Sequence, residues 1–340
     1  MKLLDWVVQV FRRGRGLTEL AKWLDLPEPE LRDWLKGRPP EPRGRDFYYN
    51  EFTIPKRRGG ARSIAAPSEP LKALQRRIVH RLLNPLPAHP AATGFVPARS
   101  IVDNARPHAK QGVVINIDLA DFFPSIGAAR VRKAFRALGW NKEAATVLAN
   151  ICTHEGHLPQ GAPTSPAISN LVCRRLDERL SALTDKLCST RPRDPQTGKW
   201  IEEQSASAEG CGRYTRYADD LTFSFPSFGR NKSLRTRAKN LPAQARPAVV
   251  FGRSLLSTIR RIIEEEGFAI QMKKKVRVQR PHQRQTATGL VLNRGVNLPR
   301  ALRRRIRAMR HHARLGLLDA EGQRRLRGWD AFLTMVARQR

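Results

Sequence analysis

An α+β fold is the architecture the sequence predicts, and three observations carry it. A short apolar, β-rich run, Val113 to Ile117, ends directly on an aspartate, Asp118. Residues 213–225 alternate around Tyr217-Ala218-Asp219-Asp220 as a hairpin would. Helical periodicities separate these strand-like pieces, but without the regular spacing of a doubly wound parallel sheet.

From the N-terminus, residues 17–36 read as two short helices. Leu20, Ala21 and Leu24 share one face, Pro27 and Pro29 interrupt, and Leu31, Trp34 and Leu35 resume the pattern. The pair is either a helix-turn-helix that reads DNA or, the favoured alternative, a small helical packing element. A Gly- and Pro-rich break at residues 37–45 closes this N-terminal helical extension, residues 1–45. Residues 52–67 form two extended segments around Gly59-Gly60, and residues 71–83 a helix with Leu71, Leu74, Ile78 and Leu82 on one face. Further helices are predicted over residues 128–138, 166–187 and 255–266, and strands over 275–279 and 287–293. The polar, Pro- and Gly-containing stretch 189–212 reads as a surface insertion. The tail, residues 299–340, is helical and carries 12 Arg against 3 Asp and Glu.

Composition narrows the function. The 340 residues are 40% hydrophobic, enough for a sizeable core, so global disorder is excluded. Lys and Arg number 63 against 30 Asp and Glu, a formal charge of +33, which points to nucleic acid and to binding that weakens steeply with salt. No apolar run reaches the ~20 residues needed to cross a bilayer, so no membrane partner is expected. Cys152, Cys173, Cys188 and Cys211 form no C-x-x-C pair and no zinc-like cluster. With no signal peptide at Met1–Arg13, the expectation is a reduced, cytoplasmic protein.

Three acids carry the chemistry. A carboxylate at the end of a buried strand is costly unless partnered. Two adjacent acids in an apolar hairpin repel each other, and a divalent cation removes that repulsion. Magnesium favours carboxylate oxygens and substrate phosphates. Two such ions about 4 Å apart suit in-line displacement at phosphorus. Asp118, Asp219 and Asp220, from two distant strands, supply the ligands such a site needs.

The tetrapeptide Tyr217-Ala218-Asp219-Asp220 resembles the Y-x-D-D box of reverse transcriptases. Asp118 to Ile126, DLADFFPSI, resembles that family's first metal-binding motif, and Leu158 to Asn170, LPQGAPTSPAISN, its template- and nucleotide-positioning motif. The three occur in the family's order, and the resemblance runs from about residue 46 to 295. It implies a right-hand polymerase: fingers and palm, with an antiparallel sheet, over residues 46–295, and a basic helical thumb over 296–340. It further implies that Asp118, the Leu119 backbone carbonyl, Asp219 and Asp220 hold two Mg2+ ions. Phe123 matches the sugar gate, an aromatic ring that blocks a 2′-hydroxyl and so selects dNTPs. Gln160 and Gly161 match the segment under the incoming nucleotide. Lys56 and Arg62 fall where fingers cations grip the triphosphate; Arg offers a bidentate fork and Lys a point charge. Lys275, one of three consecutive lysines, resembles the lysine beside the leaving pyrophosphate.

Two shorter strings resemble retron signatures. Asn104-Ala105-Arg106-Pro107-His108 matches N-A-x-x-H, and Ala287-Thr288-Gly289 matches V-T-G with alanine in place of valine. The resemblance implies RNA recognition by Asn104, His108, Thr288 and Gly289, joined by tail arginines such as Arg303, Arg304 and Arg307. The implied partners are a cognate noncoding RNA and its DNA copy, primed from an RNA 2′-hydroxyl to give branched msDNA, commonly in anti-phage defence. No RNase H motif appears, so template removal would fall to host RNase H, and any effector would be a separate protein. The competing expectations are another bacterial reverse transcriptase (group II intron or diversity-generating type) or a catalytically silent RNA-binding protein. About 45 residues after Asn293 leave little space for a maturase domain.

Overall fold

The computed structural model describes residues 15–37, 48–56, 59–188, 212–226, 253–271 and 276–339. The expected linker from residue 38 onward, Lys275 and the insertion up to residue 211 lie outside these residues. In chain order the elements begin with α1 (Leu17–Leu24), α2 (Glu28–Leu35), β1 (Tyr49–Pro55), β2 (Ala61–Pro67) and α3 (Glu69–Ile78), which runs into a π-turn at Val79–Leu83. Next come α4 (Ile101–Ala105), continued as a 3₁₀ turn at Arg106–His108, then β3 (Val113–Asp118), α5 (Ala128–Ala137), α6 (Lys142–Cys152), α7 (Thr164–Val172) and α8 (Arg174–Cys188). The remainder is β4 (Arg213–Tyr217), β5 (Asp220–Phe225), α9 (Arg253–Glu265), β6 (Arg277–Gln279), β7 (Thr286–Ala287), β8 (Leu290–Val291), α10 (Arg300–Arg314) and α11 (Ala320–Arg338). This is an α+β chain with antiparallel sheets, compatible with a right-hand polymerase fold.

The chain divides into two compact units with interleaved sequence: Met1–His89 with Ala120–Arg175, and Pro90–Leu119 with Leu176–Arg340. The expected fingers-and-palm stretch thus contributes to both.

In the first unit, α1 and α2 bury Leu20, Leu24, Leu31 and Trp34. Arg77 donates to the Leu24 carbonyl (2.6 Å), Arg81 to that of Trp23 (2.7 Å) and Asn150 to that of Trp34 (2.7 Å). The first two satisfy carbonyls that the end of α1 leaves without intrahelical donors, and the third adds a donor to a carbonyl that also accepts from the Gly37 N–H (3.1 Å). The two helices are thus packed and hydrogen-bonded to the rest of this unit. Helix α6 was not predicted, and its residues explain why. Ala144, Ala145, Val147, Leu148, Ala149, Ile151 and Cys152 are all buried, and Lys142, Glu143, Thr146 and Asn150 leave only a narrow polar stripe, a weak periodic signal beside so wide an apolar face. The predicted helix 166–187 is two helices, interrupted at Cys173, two residues before the boundary between units.

The second unit is built on a four-stranded antiparallel sheet ordered β4-β5-β3-β6. Side chains alternate across a strand, so its two faces differ sharply. One carries Ile115, Ile117, Leu221, Phe223 and Tyr214. The other carries Asn116, Thr222, Ser224 and Thr215, all buried. The predicted strand 287–293 is instead a two-stranded hairpin, because Thr288 and Gly289 both take positive φ (46° and 84°) and turn the chain back. That is the pattern of a type I′ turn. A cluster including Val102, Val114, Leu290, Leu298, Ile306 and Val336 joins α4, the small hairpin, α10 and α11 into one core. Among the described residues, no helix is long and apolar enough to cross a membrane.

Candidate active site

The register of the central strands positions the acids. Asp118, the last residue of β3, lies directly opposite Asp220, the first residue of β5. Opposed residues of an antiparallel pair project from the same face. Asp219 occupies the turn between β4 and β5, and its carbonyl accepts from the Leu119 amide (3.0 Å). Gln271 N–H donates to the Asp118 carbonyl (2.9 Å). All three acids are half-buried. Two distant motifs thus meet at one corner of the sheet, supplying only hard oxygen donors, which suit a hard divalent cation rather than a thiophilic metal.

The neighbourhood differs from the apolar hairpin expected. Below Asp220 on the same face follow Thr222 and Ser224; below Asp118 follows Asn116. Asn116 donates to Thr222 Oγ1 (3.3 Å), and Gln279 donates to Asn116 Oδ1 (2.9 Å). The acids therefore end a buried polar ladder, and the hydrophobic side chains supply the opposite face.

The turn itself is held tightly. Ala218 has φ 58°, a left-handed conformation usually left to glycine in this type of turn. Beneath it, Arg216 and Asp177 form an ion pair with no solvent-accessible side-chain surface. Arg216 Nε and Nη2 bind Asp177 Oδ1 and Oδ2 at 2.8 and 2.7 Å, and Tyr214 donates its hydroxyl to Oδ1 at 2.8 Å. Arg216 Nη1 also reaches the Ala218 carbonyl (3.3 Å). On the strand's other flank, Arg216 N–H donates to the Ala91 carbonyl (2.8 Å), and Thr93 N–H to that of Arg216 (2.9 Å). Gly94 comes so close that a Cβ there would stand 2.6 Å from the Ala218 nitrogen. Sequence reasoning missed Arg216, Asp177 and Gly94. The one available signal was an arginine at a position of β4 where the alternation demands an apolar residue.

Asn104 and His108, expected in RNA recognition, are fully buried. His108 Nδ1 is hydrogen-bonded to Ser224 Oγ (2.7 Å) and Nε2 to Thr215 Oγ1 (2.8 Å). Asn104 Nδ2 donates to Thr215 Oγ1 (2.9 Å) and Thr93 Oγ1 (3.0 Å). Neither side chain, of the two expected to recognise RNA, has accessible surface in this structure, and both bond to the strands. Burial, with a smaller contribution from the charge of Arg213, pushes the His108 imidazole down to about 3. The unfolded chain takes up a proton there near the ordinary value of 6.5, which the folded chain refuses until about pH 3. This group leaves stability unchanged above pH 6.5 and lowers it as pH falls, by about 2 kcal/mol at pH 5. Urea midpoints between pH 7 and 5 are expected to show this slope, and His108→Gln to remove that part of it.

Thr288 and Gly289 form the turn between β7 and β8, and the Thr288 hydroxyl donates to the Ile101 carbonyl (3.1 Å). Ala287, where the signature has valine, is a buried core residue. Arg303, Arg304 and Arg307 are exposed on α10, whose Ile306 faces the core with Leu302 and Met309.

The remaining expected residues belong to the first unit. Lys56 and Arg62 are exposed near the tip of the β1–β2 hairpin, with Arg62 paired to Ile54. The Gln160 carbonyl accepts from the Ala65 amide of β2 (2.9 Å). Gly161 has φ 139°, and a Cβ there would lie 2.6 Å from the Ala65 carbonyl oxygen, so only glycine lets loop and hairpin approach this closely. Leu158 N–H donates to the Ile126 carbonyl (3.0 Å), tying the end of DLADFFPSI to the start of LPQG. Phe123 is half-buried, its ring centroid 5.3 Å from that of buried Phe122.

Comparison with known proteins adds to this geometry. Residues 54–288 match the family described as reverse transcriptase (RNA-dependent DNA polymerase). Retron Mx162 reverse transcriptase of Myxococcus xanthus is 36% identical over 95% of this chain and 66% of its own length. Retron Mx65 reverse transcriptase of the same organism is 39% identical over 79% and 57%. Retron Ec86 reverse transcriptase of Escherichia coli is 34% identical over 86% and 77%. The chain thus spans less than two-thirds of the length of the two Myxococcus relatives.

Proposed function

Because this chain belongs to the reverse transcriptases, and among them to the bacterial retron type, we propose that it is an RNA-directed DNA polymerase copying a structured noncoding RNA into msDNA. The observation that carries the reading is the register of Asp118 against Asp220 with Asp219 in the adjoining turn. In this reading the four-stranded sheet is the palm, the β1–β2 hairpin belongs to the fingers and α10–α11 form the thumb. The Asp118, Asp219 and Asp220 carboxylates, with the Leu119 carbonyl, hold two Mg2+ ions. Bound there, the ions would supply the positive charge that a phosphoryl transfer to a 3′- or 2′-hydroxyl needs.

The protein's own groups do the rest. Lys56 and Arg62 bind the triphosphate of the dNTP, and Gln160 and Gly161 support the nucleotide. Lys275 neutralises the departing pyrophosphate. Thr288, Gly289 and the α10 arginines engage RNA through backbone and shape, as suits A-form stems. Synthesis starts from a 2′-hydroxyl of the RNA, host RNase H removes template, and a separate effector completes an anti-phage system in the cytoplasm.

The test is to purify the chain with its bound nucleic acid, sequence that material, and assay Mg2+-dependent primer extension. A branched RNA–DNA species is the expected product; no bound RNA and no extension would end the reading. Phe123 makes a narrower prediction. Phe123→Ala is expected to raise ribonucleotide use relative to dNTP use by about 10- to 100-fold, the scale on which a steric pocket discriminates. Competition between rGTP and dGTP in the extension assay measures the ratio.

A further inference from the structure

We infer that Asn104 and His108 are positioning residues for polymerisation, holding β4 and β5 so that Asp219 and Asp220 stand opposite Asp118. The inference rests on the polymerase reading and assigns the N-A-x-x-H segment a task within it. His108 bridges the two strands of the catalytic hairpin: Thr215 lies on β4 and Ser224 on β5. Thr215, Ser224, Thr222, Asp220 and Asp118 all belong to one face of the sheet. A shift of either strand by one residue would turn the acids to the opposite face and break both histidine bonds.

Asn104 extends the clamp sideways. Its amide joins Thr215 to Thr93, and the Thr93 hydroxyl donates to the Arg216 carbonyl (3.1 Å). One residue further, Gly94 presses on the backbone of the Tyr217-Ala218 turn. The turn bearing Asp219 is therefore set from below by the ion pair and from the side by this polar cluster. Burying polar groups is costly unless they are paired; here the Asn104 amide nitrogen, both His108 ring nitrogens and the Thr93, Thr215 and Ser224 hydroxyls are bonded, while Asn104 Oδ1 has no partner, and such bonds specify one arrangement.

The same segment faces outward to the RNA-binding elements. The Thr288 hydroxyl bonds the first carbonyl of α4, at Ile101. Ser100, which caps α4, bonds the Gln339 side chain (2.6 Å), and Arg106 bonds the Gln339 carbonyl, so the end of α11 is fastened there as well. One short helix thus links the Thr288-Gly289 turn and the C-terminal helices to the catalytic hairpin.

The test uses Thr215→Val, which removes only the hydroxyl at nearly constant shape, and His108→Gln, with Thr215→Ser as the conservative control. The full chain is assayed on poly(rA)/oligo(dT) with dTTP and titrated Mg2+, and folding is monitored by circular dichroism. Thr215→Val and His108→Gln are expected to lower kcat at least ten-fold and raise the half-saturating Mg2+ several-fold. Affinity for the template–primer stays within two-fold, and Thr215→Ser recovers most of the rate. A folded Thr215→Val chain with kcat and Mg2+ dependence within two-fold of the parent would overturn the inference, as would weakened template–primer binding at unchanged kcat. Asp219→Ala is run beside them. An inactive parent would sink the polymerase reading itself, whereas an active parent, a dead Asp219→Ala and an unaffected Thr215→Val would sink this inference alone.

Discussion

Asp219→Ala is expected to reduce DNA synthesis by about 10³-fold or more, while RNA affinity stays within about two-fold of the parent. Charge stabilisation by metal at a reacting phosphate amounts to several kcal/mol, and each ~1.4 kcal/mol is a factor of ten in rate. On the proposed reading, losing one of three carboxylate ligands forfeits most of that. Asp220→Ala is expected to behave alike, since Asp220 is the residue directly opposite Asp118. RNA affinity is spared because it comes largely from phosphate contacts made by a chain of formal charge +33, to which these acids contribute nothing attractive. Primer extension and filter binding on the same preparations check both halves. Synthesis at parental rate in either variant would remove these acids from the mechanism.

The largest stability effect is expected at Asp177. Its removal leaves the Arg216 guanidinium buried, with no accessible side-chain surface and without its carboxylate. Breaking such a pair typically costs about 3–5 kcal/mol, a large part of the roughly 5–15 kcal/mol that keeps a domain folded. Asp177→Ala is thus expected to lower the urea midpoint steeply and to loosen the turn, because Arg216 also supports the Ala218 carbonyl. Replacing both partners, Asp177→Leu with Arg216→Met, is expected to recover much of the loss, since no buried charge is then left unpaired. A single Asp177→Ala within 1 kcal/mol of the parent would contradict this account of the pair.

Much of the site was legible before any coordinates. An apolar run ending on Asp118, and two adjacent acids in a strand-like alternation, announce a functional cost that local structure does not explain. The Thr288-Gly289 turn was legible only as a signature; its reason, two successive positive φ values, emerged from the backbone. Helix α6 was hidden by its wide apolar face, which leaves only a narrow polar stripe, and α4 by its shortness. Arg216 and Asp177, 39 residues apart, were two charges among many in a basic chain.

Asn104 and His108 show the boundary most clearly. The string N-A-x-x-H marked them, but a motif names residues without stating whether they meet solvent, RNA or the core. By itself the sequence determined the family, the α+β class, the basic character and the three acids, because these follow from local pattern and composition. Only the tertiary structure decided that the acids crown a buried polar ladder and that the histidine lies buried, bonded to two strands. Burial and strand register are properties of the packed whole: they arise where segments far apart in the chain exclude water together, and no local window of residues contains that information.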